Sequence, residues 1–132
     1  RGLEIHSCTD VTGFGLGGHL CEMAEGAGLT AKLYMDYVPV LNKAFSLARE
    51  GFSPAGTYKN LEHFGSRVKF ASHLTDEDED IVFDPQTSGG LLFAVAEKDA
   101  DELLNRLDDA GVPASPVAEI MEYDGEANIR VV

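Results

Sequence analysis

The chain has 132 residues, of which 44% are hydrophobic, so it is long enough for a single domain to bury its own core. Its formal net charge is -13, from 10 Lys and Arg against 23 Asp and Glu. That charge argues against nucleic acid as a partner, because phosphate backbones are bound by clustered Lys and Arg. It also predicts that any nucleotide bound here comes with divalent cations, which neutralise both sides.

The N-terminal residues lack the basic and apolar regions of a secretory signal, and no apolar run approaches bilayer length. We therefore expect a cytoplasmic protein without membrane association. Cys8 and Cys21 lack the spacing of a zinc or redox motif, so we expect reduced and at least partly buried thiols. A nucleophilic Cys8 is the alternative, but Glu4 and Asp10 flank it, and a reactive thiolate needs electropositive surroundings.

The first part of the chain predicts alternating strands and helices. Strands are expected at 3–8, where apolar and polar residues alternate, and at 29–35. Between them, an apolar stripe predicts an amphipathic helix, made by Leu16, Leu20, Met23, Ala24 and Ala27. A second helix is expected at about 40–50, and its predicted buried face consists of Leu41, Ala44, Phe45 and Ala48.

The middle of the chain is less regular. Residues 52–74 lack a sustained period, and we expect a long ordered loop with at most a short helix and a strand near 67–70. Thr75 is expected to cap a short helix whose first turn is acidic, which suits the helix dipole.

The last third predicts three strands and a long helix. A continuous apolar run at 91–96 predicts a central strand covered on both faces, and the stripe at 100–110 predicts a helix. Strands at 117–121 and 128–132 are expected to be joined by a hairpin-like turn at 124–125. The element order predicts one α+β domain (α/β sandwich), a mixed β-sheet flanked by helices.

The stretch CTDVTGFGLGGHL contains a formal GxGxxG, formed by Gly13, Gly15 and Gly18. A strand, this motif, a helix, a second strand and Asp36 at its end are together typical of a dinucleotide-binding turn. Three observations count against it. The entry to the first glycine is polar, no further regular βαβ units follow, and an anionic Asp10 repels pyrophosphate unless a metal intervenes.

Asp10 favours a different chemistry. Mg²⁺ prefers one or two carboxylates together with phosphate oxygens and water, and Asp10 lies where the chain leaves a strand. Thr9 and Thr12 add hydroxyls, while glycines such as Gly13 let backbone N–H groups approach phosphate. The residues fit a phosphate site with a shared metal, in which Asp10 is the metal ligand and Thr12 and Gly13 lie on the phosphate side.

Both glycine-containing stretches also have a structural explanation. In the first, Asp10 or Thr12 would cap the helix, and close packing against the sheet would require Gly15, Gly17 and Gly18. The second, DPQTSGG at 84–90, is explained by a tight turn before a strand, although its polar residues exceed what such a turn needs. Sequence spacing does not decide whether the two stretches meet.

Three stretches, in order, carry a resemblance to a known family: CTDVTGFGLGGHLCEMA, REGFSPAGTYKN and DPQTSGGLLFAV. They closely resemble the C-terminal domain of selenophosphate synthetase (selenide, water dikinase), within the aminoimidazole ribonucleotide synthetase-like superfamily. One departure is Gly17, where the resemblance implies a larger apolar residue.

The resemblance implies an enzyme that makes selenophosphate, AMP and phosphate from ATP, selenide and water. It implies that an N-terminal domain, absent from this chain, supplies most of the ATP site, the homodimer interface and a catalytic Cys or selenocysteine. It implies that Asp10 is a Mg²⁺ ligand. It gives no individual roles to the residues from Asp84 to Gly90, and it places no catalytic residue in this chain. We therefore expect the chain to fold but to be inactive alone.

Three alternative functions remain at this point. The first is a related ATP-dependent synthetase or maturation protein that acts on another substrate. The second is a noncatalytic binding module, and the third is a nicotinamide-binding protein.

Overall fold

A computed structural model describes residues 2–132. The strands are β1 (Ile5–Asp10), β2 (Leu29–Leu33), β3 (Val68–Phe70), β4 (Leu91–Val95), β5 (Ala118–Glu122) and β6 (Ile129–Val131). The helices are α1 (Gly15–Ala27), α2 (Ala44–Arg49), α3 (Ala55–Phe64), α4 (Asp76–Val82) and α5 (Glu97–Asp109). Short 3₁₀ turns occupy Met35–Tyr37 and Gly65–Arg67.

Within the described residues, the strands form two sheets. β1 and β4 pair antiparallel as a two-stranded sheet, which we call the ribbon. The other sheet has the order β3-β6-β2-β5, with β6 parallel to both neighbours and β5 antiparallel to β2. The predicted mixed sheet is confirmed. The predicted β5–β6 hairpin is wrong, because β2 lies between these strands and pairs with both.

The core lies where α1 packs on the four-stranded sheet. Leu20 and Ala24 of the predicted stripe of α1 are buried, as is Cys21 beside them, and the helix ends at Gly28, whose φ of 68° is left-handed. The largest fully buried side chains include Leu33, Phe64, Phe83, Ile129 and Val131. The predicted α1 is therefore confirmed; Leu16 and Met23 of its stripe are half-buried, and Ala27 at its end is exposed.

The acidic helix α4 is also confirmed, together with its cap. The Thr75 hydroxyl accepts a hydrogen bond from the Asp78 backbone N–H at 3.3 Å, and the Asp78 carboxylate accepts one from the Thr75 N–H at 2.8 Å. This reciprocal capping box satisfies two of the N–H groups that a helix start leaves free.

Two predictions in the middle of the chain are wrong. The predicted helix at 40–50 is only Ala44–Arg49, and it has no buried residue; Leu41 is 85% exposed and Phe45 is 36% exposed. Residues 52–74 are not mainly a loop, because α3 fills ten of them, whereas the strand expected near 67–70 is confirmed as β3. The buried face of α3 includes Thr57 and Asn60, and hydrophobic periodicity does not detect a polar buried face.

The prediction of a central, doubly covered strand at 91–96 is wrong as well. β4 lies in the ribbon, where Leu92 is buried but Leu91 is 64% exposed and Phe93 is 37% exposed. The helix α5 that follows matches its prediction in position, yet none of its residues is buried. None of the helices within residues 2–132 is long and apolar enough to cross a membrane.

Candidate functional site

The two glycine-containing stretches meet. The Val11 N–H donates to the Gly90 carbonyl at 2.9 Å, and the Gln86 N–H donates to the Thr12 carbonyl at 3.0 Å. Gly89 is pressed against the first stretch, since a Cβ built there would lie 2.1 Å from the Val11 carbonyl oxygen. Residues 9–13 and 84–90 thus form one surface, which we call the paired loops.

A buried asparagine fixes the paired loops from below. The Asn60 side chain, on α3, is 6% exposed, and its Nδ2 donates to the Gly13 carbonyl at 2.8 Å and to the Phe83 carbonyl at 3.0 Å. One amide group therefore ties the first loop, and the residue directly before the second loop, to the same helix. The sequence prediction assigned Asn60 no role, although it is the last residue of the REGFSPAGTYKN stretch.

Asp10 is the last residue of β1, two residues beyond the predicted strand end. It stands opposite Leu91 in the ribbon, and it is exposed. Within residues 2–132, no side chain or backbone N–H donates a hydrogen bond to its carboxylate. An exposed carboxylate without a partner beside a glycine-rich surface is available to a ligand.

Thr12 is held by a chain of polar contacts that the sequence prediction missed. Its Oγ1 lies 3.1 Å from Nε2 of His19, and Nδ1 of that ring lies 3.2 Å from Oε2 of Glu22. His19 is 8% exposed and lies on α1, one turn after the loop. The i, i+3 spacing of His19 and Glu22 was the available signal, because it places both side chains on one helix face.

The glycines of the two stretches divide into two groups. Cβ atoms at Gly15 and Gly17 would lie 2.6 to 2.8 Å from Val82, Phe83 and Asp84, and a Cβ at Gly18 would lie 2.5 Å from Phe14 and 2.8 Å from Phe64. Gly15 and Gly17 are therefore needed for packing against the end of α4 and the residues after it, and Gly18 for packing against Phe14 and α3, rather than against the sheet. A Cβ at Gly13 or Gly90 would meet nothing within 4 Å, so both backbones are open to a ligand.

The predicted helix cap is wrong, and the departure at Gly17 has a local explanation. The residue before α1 is Phe14, and no side chain caps the helix; Thr12 reaches its first residue only through its backbone carbonyl, which accepts from the Gly15 N–H at 3.0 Å. A Cβ at Gly17 would lie 2.6 Å from Val82 Cγ1 and 2.9 Å from Phe83 Cζ. In this chain the volume of a larger residue at 17 is taken by these two side chains.

The dinucleotide interpretation is contradicted by the topology. A dinucleotide-binding turn needs two parallel strands of one sheet joined by the helix. Here β1 lies in the ribbon and β2 in the four-stranded sheet, so the βαβ unit is not formed. Asp36 lies in a 3₁₀ turn after β2 and is exposed.

The other carboxylate of the paired loops has a different environment. Partial burial, reinforced by the nearby Asp80, raises the pKa of Asp84, while a hydrogen bond from the Gln86 side chain opposes this. Asp80 in turn accepts a hydrogen bond from the Ser53 hydroxyl at 2.5 Å. Asp84 faces the cleft beside α2 and holds its own loop, so it differs from the solvent-facing Asp10.

The two cysteines also differ in their exposure to solvent. Cys21 is fully buried, as predicted, and burial raises the pKa of its thiol to about 11. Cys8 is exposed on the ribbon, so the predicted partly buried thiol is wrong at this position. It stands opposite Phe93 in the ribbon.

The carboxylates of the paired loops fit one kind of magnesium site and not another. Within residues 2–132 there is no group of three or more His, Cys, Asp or Glu side chains that could hold a metal. A single free carboxylate does fit Mg²⁺, which keeps waters and phosphate oxygens and takes one or two carboxylates from a protein. Asp10 thus fits a metal shared with a phosphate group and does not fit a closed protein site.

The class of protein follows from the chain's likeness to a known family. Residues 2–129 match the family described as "AIR synthase related protein, C-terminal domain". The chain belongs to this family, and the α+β fold and the resemblance predicted from its motifs are confirmed.

Relatives narrow the class further. The chain's relatives include bacterial proteins named "Selenide, water dikinase". That of Clostridium botulinum (strain Alaska E43 / Type E3) is 42% identical over 121 residues, which are 92% of this chain and 35% of the relative. That of Aeromonas hydrophila is 41% identical over 128 residues, 97% of this chain and 36% of the relative. That of Agathobacter rectalis is 44% identical over 119 residues, 90% of this chain and 34% of the relative. The chain spans about a third of these relatives and corresponds to their C-terminal part.

Proposed function

We propose that this chain is the C-terminal domain of a selenophosphate synthetase, a phosphotransferase that makes selenophosphate, AMP and phosphate from ATP, selenide and water. One observation carries the proposal: the two signature stretches form a single exposed surface at which Asp10 has a free carboxylate. The names of the relatives support the reaction and the substrates.

Asp10 is the proposed ligand of a Mg²⁺ ion that also binds ATP phosphates, with Thr12 and Gly13 on the phosphate side. The ion would reduce charge repulsion between the nucleotide and a chain of net charge -13. Gly13 and Gly90 support this arrangement, because their backbones are unobstructed where the paired loops face solvent.

His19 and Glu22 would set the direction of the Thr12 hydroxyl. With Nδ1–H donating to Glu22, the Nε2 atom of His19 is an acceptor and takes the hydrogen of the Thr12 hydroxyl. The Thr12 oxygen then turns its lone pairs outward. In this tautomer Thr12 presents an acceptor, which suits a metal-bound water or an N–H group better than a bare phosphate oxygen.

The rest of the site would come from outside this chain. We propose that a preceding N-terminal domain supplies most of the ATP site and the catalytic Cys or selenocysteine, and that the full-length protein is a homodimer in the cytoplasm. The absence of a closed metal site within residues 2–132 supports a composite site. Residues 1–132 alone should therefore form no AMP from ATP and selenide, and turnover by this chain alone would contradict the composite site.

The experiment is a substitution in the full-length protein. Asp10→Asn keeps the size of the side chain and removes its charge, and selenide-dependent AMP formation should fall about 100-fold or more, since metal-based charge stabilisation is worth several kcal/mol. Asp36→Asn, an exposed carboxylate in a turn after β2, is the matched control and should keep full activity. Normal turnover by Asp10→Asn at limiting Mg²⁺ would contradict the ligand assignment.

The same assay distinguishes a related synthetase with another substrate. If ATP consumption requires Asp10 but does not respond to selenide, the proposed ATP site is supported and selenide is not the substrate. An unreactive full-length protein that binds no ATP would favour the noncatalytic module.

A further inference from the structure

The ribbon has one face on the core and one face in solvent. Thr9 and Leu92 stand opposite each other on the core side, where Leu92 is 9% exposed. Because side chains alternate along a strand, the pair Ser7–Ala94 shares the core side, and the pairs Cys8–Phe93 and Asp10–Leu91 lie on the other face. The pair Ile5–Val95 also lies on that other face, because the register shifts between Ile5 and Ser7. We call this the ribbon face; it consists of Ile5, Cys8, Asp10, Leu91, Phe93 and Val95.

The ribbon face is apolar at its centre and is uncovered. Ile5 is 47% exposed, Leu91 is 64% exposed and Phe93 is 37% exposed. Within residues 2–132, neither β1 nor β4 pairs with any other strand, so each also has an open edge. A two-stranded sheet is marginally stable in water, and an apolar face with open edges attracts a partner.

The length of the relatives indicates what covers this face. The chain spans about a third of them and corresponds to their C-terminal part, so about two thirds of such a protein precedes it. In a protein of that plan the preceding part is joined to the chain immediately before β1, which is one strand of the ribbon.

We propose that the ribbon face is the surface on which the N-terminal domain of the same protein docks. This rests on the proposed function for the existence of that domain and adds the surface that receives it. Asp10 lies on the ribbon face beside Leu91, so a domain seated there meets the free carboxylate directly. Contacts within one chain also need less intrinsic affinity, because the linkage gives a high effective concentration.

The labelling rate of Cys8 measures whether the ribbon face is covered, and it needs no activity assay. It is exposed on the ribbon face of residues 2–132, whereas Cys21 is fully buried in the core. In the full-length protein, a maleimide should label Cys8 about tenfold more slowly, or slower still, than a cysteine introduced by Ser66→Cys, because labelling then needs local opening of the interface. Ser66 is exposed in the turn after α3, and Cys21 serves as the unreactive internal standard.

A second substitution identifies the occupant. A photo-crosslinking phenylalanine analogue at position 93 of the full-length protein should give an intramolecular crosslink to a peptide that precedes this chain. Phe93→Glu should restore the labelling rate of Cys8 toward that of the Ser66→Cys standard while urea unfolding shows the domain still folded.

The outcomes are distinct. Cys8 labelling as fast as the standard would overturn the proposal, even if the enzyme makes selenophosphate. A crosslink between two copies, or protection of Cys8 that disappears on dilution to monomers, would overturn it in favour of a second copy. Slow labelling with an intramolecular crosslink supports it even if the substrate proves to be something other than selenide.

Discussion

The four-stranded sheet with α1 and the ribbon with α5 use apolar residues in opposite ways. In the first region Leu33, Ile129 and Val131 are completely buried. In the second, Leu91 and Phe93 are exposed and no residue of α5 is buried. The first region has the packing of a complete core. In the second, the apolar strand β4 has the composition of a core strand but lacks covering side chains on one face, which is expected where another domain packs.

The largest expected effect is a difference in the free energy of unfolding between two leucine substitutions, one in each region. Leu33→Ala in β2 removes a fully buried side chain and should lower the free energy of unfolding of residues 1–132 by about 2–5 kcal/mol. Leu91→Ala in β4 should change it by no more than about 0.5 kcal/mol, because that side chain is mostly in solvent. Urea unfolding measures both. Equal losses would show that the ribbon is part of the same core and would remove the contrast.

A pair of glycines within α1 gives a smaller effect. Gly18→Ala puts a Cβ 2.5 Å from Phe14 Cβ and 2.8 Å from Phe64 Cε2, and should destabilise by about 1–3 kcal/mol. Gly26→Ala has nothing within 4 Å and should stabilise by about 0.5–1 kcal/mol, since alanine favours a helix. The same urea titration measures both variants. A stabilising Gly18→Ala would contradict the close packing of the GxGxxG.

The smallest effect concerns pH. Backbone N–H groups of Ala127 and Glu126, together with the Arg130 side chain, lower the pKa of Asp124 from its ordinary 3.8 to about 2. A lowered pKa contributes stability above pH 4, and this contribution is lost as pH falls from about 4 to about 2.

Asp124→Asn should therefore be less stable than the native chain near neutral pH, and the difference should vanish as pH falls toward 2. Asp101→Asn, an exposed carboxylate in α5, is the control and should leave the pH profile unchanged. Thermal unfolding at a series of pH values measures both. A constant difference between Asp124→Asn and the native chain at all pH values would contradict the linkage.

The sequence predicted elements well where an apolar stripe or a cap determines them. α1 and α4 are of this kind, because the signals lie within a few residues of each other. α3 was missed because its buried face includes Thr57 and Asn60. β4 was wrongly predicted to be a central strand, because a continuous apolar run indicates burial but does not show which part of the protein covers it.

The candidate site was predicted in part. The stretch around Asp10 and the stretch at 84–90 were both recognised, and the carboxylate lies at the end of its strand. Their meeting was not predictable, because it depends on the pairing of β1 with β4. His19 and Asn60 were missed because a single sequence does not show which polar side chains are buried.

The most direct measurement is metal binding by the full-length protein with a nonhydrolysable ATP analogue. Mn²⁺ replaces Mg²⁺, and electron paramagnetic resonance counts the free ion. Asp10→Asn should weaken nucleotide-dependent Mn²⁺ binding by at least about tenfold, given that loss of even an outer-shell partner costs about 10- to 100-fold. Asp36→Asn should bind as the native protein does. Equal Mn²⁺ affinity in Asp10→Asn and the native protein would contradict the account.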